Sequence, residues 1–381
     1  MDSLKILLVL TAFKSSLTAK QACLAAATGI KKGAGSGVKI VLMPVSDGGD
    51  GFLEAVQSGR VLRLVAVTVT GPLGRPIRSR YLMGTLEGHK TAFIEAAKIC
   101  GLAQIAPGRR DPMRATSFGV GQAIRHALEN GAAQIYLGLG GTATQDAGCG
   151  MAQALGYRLL DGRGRAIPRG AAGIGLLDRI DSSGVNPRLG RVKIFGLCDV
   201  VNPLLGKLGS TRVYAPQKGA TPSQVAAIER HFKRWDSLVK RDLGLCVGGA
   251  PGAGAAGGLG AAILAFGRGK ILPGTKTLLE ILNAERLIQE ADIVIVGEGK
   301  LDRQTLYGKA PGVLSERAKK AGKKVWGIFG QADRDAPAVA QKLGLDQWIS
   351  LTQLAGGSGK AMAHAYRYVS QAAFVLAQNQ A

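Results

Sequence analysis

Between Ile135 and Gly156 the chain reads IYLGLGGTATQDAGCGMAQALG. Gly138, Gly140 and Gly141 fall within four residues, and Thr142, Thr144 and Asp146 follow at alternate positions. These types suit the binding of an anion. Glycines let a backbone approach a ligand closely, and free amides at a helix start favour a phosphate. A carboxylate beside that phosphate is what phosphoryl transfer needs as base or metal ligand. A tight strand-to-helix turn with Asp146 as N-cap accounts for the same residues, and both readings stand at this point. The stretch is neither a Walker loop, which needs Gly-Lys-Ser/Thr, nor a dinucleotide fingerprint.

Other chemistry-bearing loops leave strand-like runs. Gly297 to Gln304 holds Glu298, Lys300, Asp302 and Arg303, with Lys309 and Pro311 beyond, a density of charge that a turn does not require. Pro44 to Gly51 carries Asp47 and Asp50 among glycines; Asp47 is equally an ordinary N-cap. Asp199 and Asn202 leave the run Val192–Leu197 together, fit for a metal or a sugar-like hydroxyl, or for an Asx turn before Pro203. Lys218 sits among turn residues, and Gly252 to Gly260 is a second glycine-rich loop that close helix packing explains as readily as phosphate contact.

The elements that must hold these loops alternate between strand and helix. Lys5–Leu10 (KILLVL) and Asp292–Val296 are continuous apolar runs, as buried parallel strands require. Val38–Met43, Val192–Leu197 and Lys324–Phe329 read as further strands, the last of these being the last in the chain. Helices are expected at about 18–30, 95–104, 117–130, 222–242 and 360–378. From Val61 to Met83 the pattern alternates and is broken by Gly71-Pro72, which predicts antiparallel strands and a boundary near residue 70. Residues 157–190 are rich in glycine and turn pairs and are expected to be peripheral loops.

The 381 residues suffice for two domains and a large core. Aromatics are only 5% and the 56 glycines are spread through corners, which suits an α/β protein. No 18-residue apolar run argues for a membrane span. Met1-Asp2-Ser3 leads straight into a strand-like run without the order of a signal peptide. Five scattered cysteines without a Cys-x-x-Cys pair argue against a disulfide framework or structural zinc, so a reduced, cytoplasmic protein is expected. The net charge of +23 allows nucleic-acid binding or attraction of small anions. The basic residues are dispersed and not interleaved with stacking aromatics, which disfavours a nucleic-acid partner.

Taken together and in order, seven segments resemble the bacterial glycerate kinase family of the type with two α/β domains. They are Phe13–Leu17, Pro44–Gly51, Gly138–Gly150, Asp199–Leu205, Pro216–Ala220, Gly252–Gly260 and Gly297–Pro311, and they span nearly the whole chain. The resemblance implies phosphorylation of D-glycerate from ATP with Mg²⁺, generally on the 2-hydroxyl. It also implies an α/β fold with a discontinuous flavodoxin-like, Rossmann-like parallel-sheet domain, residues 1–71 and 285–381. A second α/β domain, residues 72–284, is inserted and carries the glycine-rich phosphate loop. On that basis the triphosphate falls to Gly138, Gly140, Gly141, Thr142, Thr144, Lys218 and Lys309, and the magnesium to Asp199, Glu298 and Asp302. The base is Asp146 or Asp47, with Asp146 preferred, and Lys14, Asn202 and Arg303 are expected to bind the substrate. The chain departs from the family pattern at several positions. Leu10-Thr11-Ala12 replaces Pro-Asp-Ser, Gln145 an Asn, Ala147 a Gly, Asp50 a Glu, and Val201 a polar residue. The missing carboxylate at Thr11 keeps open a kinase-fold protein that acts on another small hydroxy acid, or a weakly active binder.

Overall fold

A computed structural model describes residues 3–35, 37–46, 48–306 and 309–379. Its contacts divide the chain into two compact units, one of residues 1–47, 54–60 and 275–381, the other of residues 48–53 and 61–274. Both are α/β, as expected.

The first unit is built on a wholly parallel sheet in the order Gln347–Ser350, Lys324–Ala332, Ile293–Leu301, Leu4–Leu10, Val38–Leu42. Counted within the unit, this is the 2-1-3-4-5 order of flavodoxin-like sheets. Ile6 to Leu10 are all buried, because side chains on both faces of this central strand are covered. Ile6, Leu8 and Leu10 pack in one cluster with helices Ala19–Ala34 and Ala365–Gln378. Helix Ala19–Ala34 starts at a reciprocal cap, in which Thr18 accepts from the Gln21 amide and Gln21 reaches back to Thr18 N. Its small residues let the partner helix approach so closely that a Cβ on Gly29 would lie 1.9 Å from the Ser370 carbonyl oxygen. The strand Gln347–Ser350 follows the one expected to be last; four residues are too few to show a period. The helix expected at 360–378 is two, Ser358–Ala363 and Ala365–Gln378, separated at His364.

The second unit holds a six-stranded sheet in the order Lys270–Leu272, Lys193–Leu197, Gln134–Gly138, His89–Glu95, Pro76–Leu86, Arg63–Thr70. The first four are parallel and the last two antiparallel. Phe93, Tyr136 and Phe195 stand side by side on three neighbouring strands and stack at 5.5 and 5.0 Å. Gly71 donates to the Arg75 carbonyl at 2.7 Å, so Gly71-Pro72 is a hairpin turn inside this sheet. The contacts accordingly change unit at 60/61 and 274/275, about ten residues before the positions chosen from sequence, because Arg63–Thr70 pairs with Pro76–Leu86.

Residues 157–190 differ from expectation. Arg158–Asp161 and Leu177–Asp181 form an antiparallel pair. Leu159, Ile174, Leu177 and Ile180 are buried in the same core as Ile228, Phe232 and Trp235 of helix Pro222–Leu243. The expected helix at 95–104 is a single turn, Ala97–Cys100, followed by a 3₁₀ turn. All five cysteines are free, and no helix among the described residues is long and apolar enough to cross a membrane.

Candidate active site

In the second unit the strand Gln134–Gly138 runs into the glycine loop. There the reason for the glycines is a neighbouring segment of chain. A Cβ on Gly138 would lie 2.6 Å from the Gly48 oxygen, one on Gly140 2.5 Å from Gly49 Cα, and one on Gly141 2.8 Å from Asp50 Oδ1. Gly141 also sits at φ 74°, a conformation glycine adopts freely. Segment 48–53 therefore lies on the loop, and Gly140 N–H donates to the Gly48 carbonyl at 3.2 Å. Gly138 is the last residue of its strand, in register with Glu95 and Leu197. The Gly140 amide, expected to face a phosphate, is thus spent on the backbone. Gly140→Ala is expected to push segment 48–53 away and cost about 1–3 kcal/mol in urea unfolding. An unchanged midpoint would show that the segment yields freely.

Asp146 takes a capping place. It has no accessible surface. Its Oδ2 accepts from Ser117 N–H (2.8 Å), Ser117 Oγ–H (2.8 Å) and Gly150 N–H (3.3 Å), and its Oδ1 from Gly148 N–H (3.1 Å). Burial pushes its carboxyl above the ordinary range, against the pull of these donors. The start of helix Cys149–Ala154, expected to face a phosphate, is closed by this carboxylate. As a base Asp146 is sealed off, because every donor around it belongs to the fold.

Lys218 is likewise inside. Its Nζ donates to the Thr144 carbonyl at 2.8 Å, beneath the loop. Thr144 Oγ1 donates to the Ala256 carbonyl at 3.4 Å, whereas Thr142 Oγ1 is buried with no hydrogen-bond partner. Lys218 therefore supports the loop from below and does not present its charge to a nucleotide. Burial lowers its ammonium pKa from 10.5 to about 8. Below pH about 8 the group is charged both folded and unfolded, and the fold bears the full cost of burying it. Between pH about 8 and 10.5 the folded state loses the proton first, so that cost is relieved as pH rises. The stability of the wild type relative to Lys218→Met is expected to rise by about 3 kcal/mol across that window. The buried Cys100 thiol, pushed up to about 12 by burial and drawn down by Lys218, acts in the opposite sense above pH 9. Parallel unfolding lines at pH 7.5 and 10 would contradict the assignment.

The first unit gathers the other charged cluster at the end of strand Ile293–Leu301. Lys309 Nζ lies 3.4 Å from Glu298 Oε2 and 3.9 Å from Asp302 Oδ1. Glu298 is buried, its carboxyl is raised by that burial, and its Oε1 has no hydrogen-bond partner. Lys14, exposed, lines a cavity of about 70 Å³ with Phe13, Ser16, Gly299, Gln331 and Thr352. The cavity lies at the carboxyl ends of parallel strands, where open α/β sheets bind ligands. Thr11 lies at the end of strand Leu4–Leu10, and its hydroxyl donates to the Gly297 carbonyl at 3.3 Å. Arg303, expected to bind substrate, is paired through Nε with Asp335 at 2.7 Å.

Asp199 is exposed after the strand Lys193–Leu197, in the second unit. Asn202 is committed at both ends, donating to the Leu208 carbonyl at 2.8 Å and accepting from Tyr214 OH at 2.7 Å. Its expected substrate contact is replaced by an internal brace. Asp47 lies outside the described residues. Among the described residues no three His, Cys, Asp or Glu side chains gather as a metal cage. Two residues passed over in the sequence organise the second unit's site. Ser117 bonds Asp146, and Glu95 accepts from Gly51 and Leu53 N–H. Glu95 carries the same signal as Asp199, a carboxylate at the end of a parallel strand.

The chain matches the model of the glycerate kinase family over residues 6–379. It is 38% identical over 361 residues to a glycerate kinase of Halalkalibacterium halodurans, covering 95% of this chain and 94% of that one. It is 37% identical over 369 residues to the glycerate 2-kinase of Escherichia coli K12, covering 97% and 96%. A solved structure named glycerate kinase 2, from Salmonella typhimurium LT2, superposes with a TM-score of 0.82 at 37% identity, covering 99% of this chain and 98% of that one.

Proposed function

The chain belongs to the glycerate kinase family, and we propose that it transfers the γ-phosphoryl group of ATP to the 2-hydroxyl of D-glycerate with Mg²⁺. The observation that carries the finer reading is Glu298. A buried carboxylate oxygen without a partner is costly unless something occupies it, and a hard divalent cation is the natural occupant. Glu298 Oε1 would hold the magnesium, with Asp302 as the second carboxylate. The ion would neutralise charge on the transferring phosphates. Lys309, between the two carboxylates, is placed to contact a phosphate oxygen as it leaves them.

The Lys14 ammonium supplies the cation for the glycerate carboxylate, at the carboxyl ends of the parallel strands. In the second unit the Thr142 hydroxyl, buried and unpaired, is the donor left for a phosphate oxygen. With Asp146 sealed, Asp47 is the proposed base for the substrate hydroxyl. It precedes the segment that is held on the glycine loop. We place the protein in the cytoplasm, where its free cysteines stay reduced.

The test is ADP release from ATP and Mg²⁺. Release that needs D-glycerate, stops on chelation and returns with added Mg²⁺ is the expected result. Release independent of D-glycerate, or insensitive to chelation, would overturn the reading.

A further inference from the structure

Glu95 ends the strand His89–Glu95 with no accessible surface. A carboxylate in that position is tolerable only if its oxygens are used. Oε1 accepts from Gly51 N–H at 3.2 Å and Oε2 from Leu53 N–H at 3.0 Å, while Lys98 Nζ stands 4.0 Å from Oε1. Both amides belong to segment 48–53, the first of them just before Phe52 and the second just after it. That segment is also anchored elsewhere. The Phe52 ring, fully buried, tilts against Phe93 at 6.4 Å, and the Gly48 carbonyl accepts from Gly140. Between the anchors Asp50 is exposed, with its Oδ1 against Gly141, next in sequence to the unpaired Thr142 hydroxyl.

We propose that Glu95 is a positioning residue for phosphoryl transfer, which by fixing the Gly51 and Leu53 amides sets the Asp50 carboxylate on the Gly141–Thr142 turn. Phe52 and Gly48 hold the ends of the segment, and Glu95, bonded to the amides on either side of Phe52, fixes the rotation of the turn that carries Asp50. Charge-assisted bonds to backbone amides are stiff enough for this. A misplacement of about 1 Å in such a group is enough to cost about 100-fold in rate. The proposal rests on the kinase reading given above.

The experiment compares Glu95→Gln, Asp50→Asn and the double variant in the full chain. A Gln side chain keeps the shape but can accept from only one of the two amides. Amide hydrogen exchange at Gly51 and Leu53 is expected to quicken at least about 10-fold in Glu95→Gln, with the strand amides of Tyr136 and Leu137 unchanged. Each single variant is expected to lower kcat about 100-fold with the KM for ATP little moved, and the double variant to be no worse than the poorer single. Unchanged exchange, multiplicative losses, or full turnover in Asp50→Asn would each overturn the proposal. If Glu95→Gln does not fold, Asp50→Asn alone decides, because full turnover there leaves Glu95 nothing to position. A wild type inactive on D-glycerate would remove the kinase reading instead, and the exchange rates would still show whether Glu95 holds the segment.

Discussion

Asp146→Asn is expected to yield a second unit that no longer folds stably, and not a folded enzyme that lacks a base. The carboxylate is fully buried and serves four donors, three of them on one oxygen. An amide nitrogen in that place turns acceptance into donor-against-donor contact with Ser117 and Gly150. If the amide turns over, Gly148 is left unserved. The change also removes a negative charge from the buried surroundings of Lys218. Unsatisfied buried donors cost about 1–3 kcal/mol each, and a deprived buried charge adds to that, for a total on the order of 3–5 kcal/mol. Against a typical total stability of about 5–15 kcal/mol this is a large share. Urea unfolding followed by Trp235 fluorescence, in the core of that unit, reads it directly. A variant with an unchanged midpoint and abolished turnover would restore Asp146 to the catalytic machinery.

Glu298→Gln is expected to do the reverse, keeping the fold and losing the reaction. The partners of this carboxylate among the described residues are the side chains of Thr305 and of Lys309, the latter at 3.4 Å, and Oε1 is unpaired, so an isosteric amide removes charge without orphaning backbone donors. Loss of a charged oxygen ligand is expected to lower kcat by at least about 100-fold and to raise the Mg²⁺ concentration for half-maximal rate. The change also relieves burial of a charge, so the unfolding midpoint is expected to hold or rise slightly. A Mg²⁺ titration superimposable on the wild type would mean that Glu298 serves Lys309 and Thr305 and not the metal.

What was legible before the structure follows from the range of the forces involved. Ile6–Leu10 and Ile293–Val296 read as buried parallel strands because every side chain there is covered. The alternation at Arg63–Thr70 announced an antiparallel strand for the complementary reason. The Gly138–Gly141 loop was recognisable as special, but its cause lies some ninety residues earlier, in segment 48–53, and no local pattern reports so distant an approach. For the same reason Asp146 looked like a base. Its donors Ser117 and Gly150 turn a functional carboxylate into a cap only once two helices have met. Lys218 and Asn202 were read as polar groups free to bind, and each is consumed by a carbonyl or hydroxyl brought in by folding. Glu298 and Lys309 stand out in the sequence as an excess of charge because they lie only eleven residues apart, and they meet at one strand end. Residues 157–190 misled because strands of four and five residues are too short to display a period.

The proposed 2-kinase activity is decided by which oxygen receives the phosphoryl group. Purified enzyme, ATP, Mg²⁺ and D-glycerate are incubated with enolase and no phosphoglycerate mutase, and phosphoenolpyruvate is followed at the same time as ADP. Phosphoenolpyruvate appearing without lag and in step with ADP is the predicted result, since enolase accepts only 2-phosphoglycerate. ADP without phosphoenolpyruvate, appearing only once mutase is added, would place the transfer on the 3-hydroxyl and contradict the account.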